Sequence, residues 1–281
     1  MAAVSVSTAT QSQTTSSDVL THECQHSHSS HSHSHNNDSN PSSSSSSSTY
    51  PFKFDKNSTL QDFLKSNKIQ MDHLSKTNPE VMQISAHGQS PHTLWIGCSD
   101  SRVNECTALG CLPGEVFTLR NIANIITYQD LSATSSLQFA IDVLKVKKII
   151  VCGHTDCGGI WGSLSSKRLG GVLDSWLTPI RQVRLQNLEE LNKIMDPHAK
   201  CKRLSELNVL NSIDQIIKHP SFMDAFEEGR LEIYGLVYDV STGYLHELEL
   251  PTIEQGPDKL DDLYHVFQLS ENGSEDDYSP H

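Results

Sequence analysis

Three short apolar runs, Thr93–Cys98, Glu115–Arg120 and Lys148–Gly153, stand among segments with helical periodicity, and no other feature limits the fold as strongly. Each run reads as a strand, while Ser132–Val146 puts Leu137, Ala140, Ile141 and Leu144 on one face of a helix. Strand, crossover, strand, helix, strand implies an α/β fold with a mostly parallel central sheet flanked by helices. Further on, Val172–Met195 and Lys202–Lys218 are helical in pattern, and Pro179 marks a break or a fresh helix start. Leu231–Val240 returns to strand, and Ser241-Thr-Gly243 turns it into a second strand, Tyr244–Leu250.

The helical pattern begins at Ser58-Thr-Leu-Gln61, which has the capping-box form, and Leu60, Phe63 and Leu64 start an apolar stripe. One folded domain is expected over residues 51–270, with its last element near Phe267. Residues 1–50 are a Ser- and His-rich tail with a seven-serine run at Ser42–Ser48, a composition that stays disordered. Cys24, His26, His28, His31, His33 and His35 crowd within it and can chelate a soft divalent metal, although solvated tails of this kind often do so adventitiously. Residues 271–281 form an acidic tail that should fray.

The net charge is −13, and the two tails carry seven unopposed carboxylates, so no basic face is available for a nucleic acid. No apolar stretch is long enough to span a membrane, and the first 17 residues lack the basic and apolar regions of a signal peptide. A soluble, cytoplasmic protein is expected. The seven cysteines are too sparse for a secreted disulfide scaffold, so they serve as metal ligands, reactive groups or small core residues.

Two predicted strands end in residues that packing does not explain. The first runs into Cys98-Ser-Asp100-Ser-Arg102, and the strand at 148–153 runs into His154-Thr-Asp-Cys157-Gly-Gly159. In open α/β sheets, ligands gather at the carboxyl ends of strands, so the two clusters can meet. The donor set suits Zn²⁺: Cys98, His154 and Cys157 as three ligands, and water or Asp100 in the fourth position. Taken singly, a buried cysteine at a strand end is a core residue, and Cys106, Cys111, Cys152 and Cys201 are assigned to the core. A phosphatase-type nucleophile would want an arginine six positions after Cys98, and Asn104 stands there.

With these residues the chain resembles the β-class carbonic anhydrases, most closely the fungal, yeast-type branch. The resemblance spans roughly residues 58–267 and includes Gln89-Ser-Pro91, Trp95-Ile-Gly-Cys-Ser-Asp-Ser-Arg-Val103, Pro113-Gly-Glu115, Arg120-Asn-Ile-Ala-Asn124, Asp142-Val-Leu-Lys-Val146 and Cys152-Gly-His-Thr-Asp-Cys-Gly-Gly159. It implies reversible hydration of carbon dioxide to bicarbonate and a proton, with one Zn²⁺ per chain on Cys98, His154 and Cys157. Zinc brings the pKa of bound water from 15.7 to about 7. Two thiolates cancel the ion's formal charge, so this water should be less acidic than one held by three imidazoles, which argues for an alkaline working range. Asp100 can accept a hydrogen bond from the zinc-bound hydroxide while Arg102 holds its carboxylate, and by resemblance the two form the family's catalytic dyad.

The resemblance further makes Gln89 the polar substrate contact and Phe117 and Ile122 the pocket walls, with the Gly158 backbone nearby. Phe139 stands where many relatives carry tyrosine. It also implies an obligate homodimer, or a dimer of dimers, whose pockets draw on both partners. Trp95, Arg120 and Tyr238, beside Gly97 and Val103, match a second bicarbonate pocket found in the regulated members. Binding there is linked to Asp100 leaving Arg102 and becoming the fourth zinc ligand. The other readings are a hydrolase of carbon disulfide or carbonyl sulfide and a catalytically silent zinc protein that binds bicarbonate or acts as a scaffold.

Overall fold

The computed structural model describes residues 51–250, so both tails, their histidine and acidic clusters, and the segment to Phe267 lie outside the described residues. The first helix, α1 (Leu60–Thr77), is capped by Thr59 rather than Ser58. Asp62 at the third helical position accepts from the Thr59 amide and hydroxyl at 2.7 Å each, and the Asp62 amide returns to Thr59 Oγ1 at 3.4 Å. The box therefore closes one residue later than the serine-glutamine pattern indicates, because the charged Asp62 is the stronger acceptor. The apolar stripe of α1 stays out of the core: Leu60, Phe63 and Leu64 are exposed, and Leu74 is its one buried residue. Helix α2 (Pro79–Ser85) follows directly.

The sheet then assembles from β1 (Thr93–Cys98), β2 (Val116–Asn121), β3 (Lys148–His154), β4 (Glu232–Tyr238) and β5 (Leu245–Glu247), in the spatial order β2-β1-β3-β4-β5. All neighbours are parallel except β4 and β5, which form the hairpin around Gly243. That glycine has φ +78°, the left-handed conformation the turn needs. The second strand of the hairpin pairs over three residues only, shorter than its alternation indicates.

Ten helices cover the described chain. Between the first two strands lies α3 (Glu105–Leu109), and α4 (Leu131–Gln138) starts on Asp130, whose carboxylate accepts from the Ser132 and Ala133 amides. It runs on as a π-helical turn, Phe139–Val143, and ends where Lys145 turns left-handed at φ +56°. After β3 come α5 (Gly158–Leu164), α6 (Gly171–Trp176), α7 (Thr178–Gln186), α8 (Leu188–Lys193), α9 (Pro197–Ile217) and α10 (Pro220–Glu227). Pro179 does start a fresh helix, α7, and the long pattern 172–195 resolves into three short helices. None of the described helices is long and apolar enough to cross a membrane.

Two apolar clusters hold these layers. One joins Leu94, Ile96, Ile149 and Val151 of the strands to Leu137, Ile141, Ile213 and Phe222, and the other gathers Ile125, Ile160, Leu177, Ile180 and Leu204 beside Cys98 and Cys157. Helix α9 serves both, with Leu204 and Leu207 in one and Val209, Ile213 and Ile216 in the other. Each such fully buried aliphatic side chain contributes about 1.5–3 kcal/mol. Cys152 and Cys201 are core residues as expected, but Cys106 is exposed and Cys111 half-buried, because both lie at the surface end of α3.

Candidate metal centre

Parallel pairing puts the carboxyl ends of β1 and β3 side by side, and both end in a side chain that can bind a metal. Cys98 closes β1, His154 closes β3, and Cys157 caps α5 three residues later. Their ligand atoms lie within 4.8 Å of one another, and all three residues are buried. The two sulfurs are 4.0 Å apart, close to the ~3.8 Å that tetrahedral zinc–thiolate geometry requires. His154 Nδ1 donates to the Thr155 carbonyl at 2.9 Å, which fixes the tautomer and leaves the Nε2 lone pair facing the sulfurs. That Nε2 is buried with no hydrogen-bond partner. A buried acceptor left open beside two thiols is what a soft divalent cation satisfies, so the residues present fit Zn²⁺.

The thiols are already polarised. Cys98 is drawn well below the ordinary thiol range by a hydrogen bond from Cys157, against the cost of burial and with help from the amides of Asp100 and Ala123. Cys157, which keeps the shared proton, is pushed up. The Ala123 amide reaches Cys98 Sγ at 3.3 Å because Ala123 and Asn124 both adopt left-handed backbone, φ +62° and +46°. Two consecutive non-glycine residues in that region are strained. Asn208 donates to the Ala123 carbonyl at 2.8 Å, Ser212 to that of Asn124 at 2.9 Å, and Asn121 clamps Ile125 through both its amide atoms. Ser205 completes this support by donating to the His154 carbonyl.

Beside the triad, Arg102 grips Asp100 with both prongs, Nε to Oδ1 at 3.0 Å and a terminal nitrogen to Oδ2 at 2.8 Å. The Arg102 side-chain hydrogen bond holds the Asp100 carboxyl down at about 2 despite partial burial. Oδ2 lies 3.8 Å from His154 Nε2, so the carboxylate borders the metal position while remaining bound to the arginine. Arg102 also donates to the Asp156 carbonyl at 3.1 Å. Asp156, left-handed at φ +53°, is tied by its carboxylate to His198 at 2.7 Å, and the His198 ring stands edge-on to Trp161.

Of the residues expected around substrate, this chain brings Ile122 and Gly158 to the thiols. Ile122 packs against Gly159, where a side chain would clash with Ala123, and Gly158 faces open space beside Cys157. Gln89, Phe117 and Phe139 lie elsewhere. Gln89 lines a 540 Å³ groove with Thr93, Cys111, Leu112 and Glu115 at the amino ends of β1 and β2, roughly 17 Å along the strand from Cys98. Phe117 is level with Leu94, and its ring lies 5.8 Å from that of Phe139, tilted by 37°.

The Trp95, Arg120 and Tyr238 set is likewise not joined by any hydrogen bond or ring contact among the described residues. Trp95 is buried and its indole covers Gly97, which has no room for a side chain. Arg120 donates to the carbonyls of Cys98, Asp100 and Val103, so its guanidinium ties β2 to the loop that carries the dyad. Tyr238 is level with His154, two strands away from β1.

Sequence reasoning missed Asn121, Asp156, His198, Ser205, Asn208 and Ser212. The last three had a signal, a polar stripe at helical spacing within the apolar face of α9; Asn121 and Asp156 lie inside motifs that carry the resemblance, but their roles, like that of His198, depend on loop conformation.

Comparison with known proteins agrees with this geometry. A family model described as carbonic anhydrase matches residues 93–245. A carbonic anhydrase of Candida albicans is 50% identical over 234 residues, covering 83% of this chain and 80% of the relative. One from Saccharomyces cerevisiae is 40% identical over 208 residues, 72% of this chain and 94% of the relative. Among solved structures, a tetrameric β-carbonic anhydrase of Sordaria macrospora superposes with a TM-score of 0.65 at 42% identity, covering 67% of this chain and 95% of that one. With a matching family model, close fungal relatives, the same fold and a buried Cys-His-Cys triangle at the sheet's carboxyl edge, the chain belongs to the β-class carbonic anhydrases of the fungal branch.

Proposed function

We propose that this protein catalyses the zinc-dependent, reversible hydration of carbon dioxide to bicarbonate and a proton, with Cys98, His154 and Cys157 holding the metal. The observation that carries this reading is the buried triangle of two sulfurs and an unpartnered imidazole nitrogen with the Asp100–Arg102 pair beside it. When bound there, Zn²⁺ lowers the pKa of its water from 15.7 toward neutrality and so supplies a hydroxide nucleophile. Asp100 stays ionised, and its carboxylate oxygens act only as acceptors that orient the nucleophile by taking its hydrogen bond. Arg102 fixes that carboxylate by two charge-assisted bonds, and Arg120 fixes the loop beneath it through three carbonyls. The open side of Gly158 and the apolar Ile122 suit a small, linear, uncharged substrate.

The working unit is a homodimer or a larger even assembly, in which Gln89, Phe117 and Phe139 of one copy complete the pocket of another. Three observations support it. The residues sit at the far end of the sheet from their own metal ligands, α1 leaves Leu60, Leu64 and Ile69 exposed, and a Sordaria relative is tetrameric. Neither the silent scaffold nor the carbon disulfide hydrolase reading has an observation in its favour. Stopped-flow hydration by the zinc-loaded chain tests the proposal. Turnover that collapses in Asp100→Ala supports it; one zinc per chain with no turnover would overturn it in favour of a binding protein.

A further inference from the structure

Among the described residues, the cysteines divide by position. Cys98 and Cys157 belong to the metal triangle, and burial pushes Cys152 and Cys201 up to about 12, which keeps them as inert thiols. Cys106 and Cys111 are different: one is exposed, the other half-buried, and they bracket the end of α3. That helix stops on Gly110 in left-handed conformation, φ +65°, and the Cys111 amide reaches back to the Cys106 carbonyl at 3.1 Å. In a helix end of this type, these are the two positions whose side chains meet over the cap, usually as an apolar pair. Here both are thiols. With that hydrogen bond, standard bond lengths and the ~120° angle at the Cys106 carbonyl carbon, the two Cα atoms lie less than about 7 Å apart even if the remaining atoms were collinear. Any bend brings them into the disulfide range of about 4.4–6.8 Å.

We propose that Cys106 and Cys111 form a peroxide-reactive dithiol that closes into a disulfide across the C-terminus of α3. Cys106, the exposed sulfur, attacks the peroxide as thiolate; its S–O bond forms as the O–O bond breaks, giving a sulfenic acid and hydroxide. Burial, then the neighbouring Cys106 and to a lesser degree the Glu115 carboxylate, push Cys111 up to about 11, so it waits as the protonated partner. Its sulfur then displaces the sulfenic hydroxyl, which leaves with the Cys111 proton as water. Two thiols and one peroxide thus yield one disulfide and two waters, and a dithiol reductant reverses the change.

The site is well placed to matter. Asn104 caps α3 directly after the loop of Asp100 and Arg102, and Glu105 accepts from Thr118 and stands 3.8 Å from Arg120. On the other side, Cys111 lines the groove that holds Gln89.

Trypsin should release Val103–Arg120 as one peptide carrying both cysteines and no other. Zinc-loaded, full-length protein is treated with hydrogen peroxide, alkylated, and digested without reduction. The expected product is this peptide two hydrogens lighter and closed to alkylation, restored by dithiothreitol, formed roughly tenfold faster than in the urea-unfolded chain. Cys111→Ser should instead leave Cys106 to advance to sulfinic acid. Equal rates in folded and unfolded chains, or wild-type Cys106 accumulating as sulfinic acid beside an alkylatable Cys111, would overturn the proposal.

Discussion

The two ends of the parallel sheet are finished to different degrees. At the carboxyl end, one chain supplies three metal-binding side chains, the dyad, the strained Ala123–Asn124 turn and the α9 polar stripe that holds it. At the amino end, Gln89 and Phe117 lie near an open groove. In the proposed function, metal binding is therefore local to a chain, while a pocket using Gln89, Phe117 and Phe139 draws on ends of the sheet too far apart to meet within one copy. Completing it is a property of the assembly.

The sharpest way to break this contrast is at the ligands. Cys98→Ala should abolish zinc binding, measured by metal analysis, and remove catalysis altogether, about 10⁶-fold or more. Retained zinc and turnover would show that the carboxyl end is not the metal centre. Next, Asp100→Ala should keep its zinc yet lose about 100-fold in kcat/KM. Arg102→Lys should not substitute for wild type, because a lysine cannot reproduce the two-pronged grip.

The amino end is tested by mixing. Gln89→Ala and Cys98→Ala should each be impaired alone, but an equal mixture allowed to exchange subunits should recover about a quarter of wild-type activity. Half the dimers are then mixed, and each has one intact pocket. No recovery in exchanged mixtures, with exchange confirmed by mass, would mean that Gln89 serves its own chain.

The smallest effect is at His198, whose pKa is raised by its bond to Asp156. The stabilisation from this pair is fully present below the unfolded histidine value, about 6.5, and is lost as pH rises through the higher folded value. The Tm difference between wild type and His198→Ala should therefore be largest near pH 5.5 and shrink by pH 8.5. A constant difference would point to the contact with Trp161 instead.

Much of the carboxyl end was legible in the residues. Cys98 and the His154–Cys157 pair sit where apolar runs stop, and parallel strands bring such stops together without any long-range information. The Thr59 cap was displaced by one residue because carboxylate strength, not pattern, chose the acceptor. Cys106 and Cys111 read as core because cysteine is a small hydrophobe, whereas a helix of five residues ending on Gly110 holds them at the surface.

By itself the sequence determined the α/β class, the approximate positions of the strands and the residues whose chemistry suits a metal, since hydrophobic periodicity and donor chemistry are local properties of the chain. Only the tertiary structure decided that His154 keeps a free Nε2, that Arg120 is spent on three carbonyls, that Asp156 is bound to His198 beside the dyad, and that Gln89 lines a groove at the opposite end of β1 from Cys98. Each of these depends on which backbone groups meet across the sheet, a distance in space that no spacing along the chain encodes.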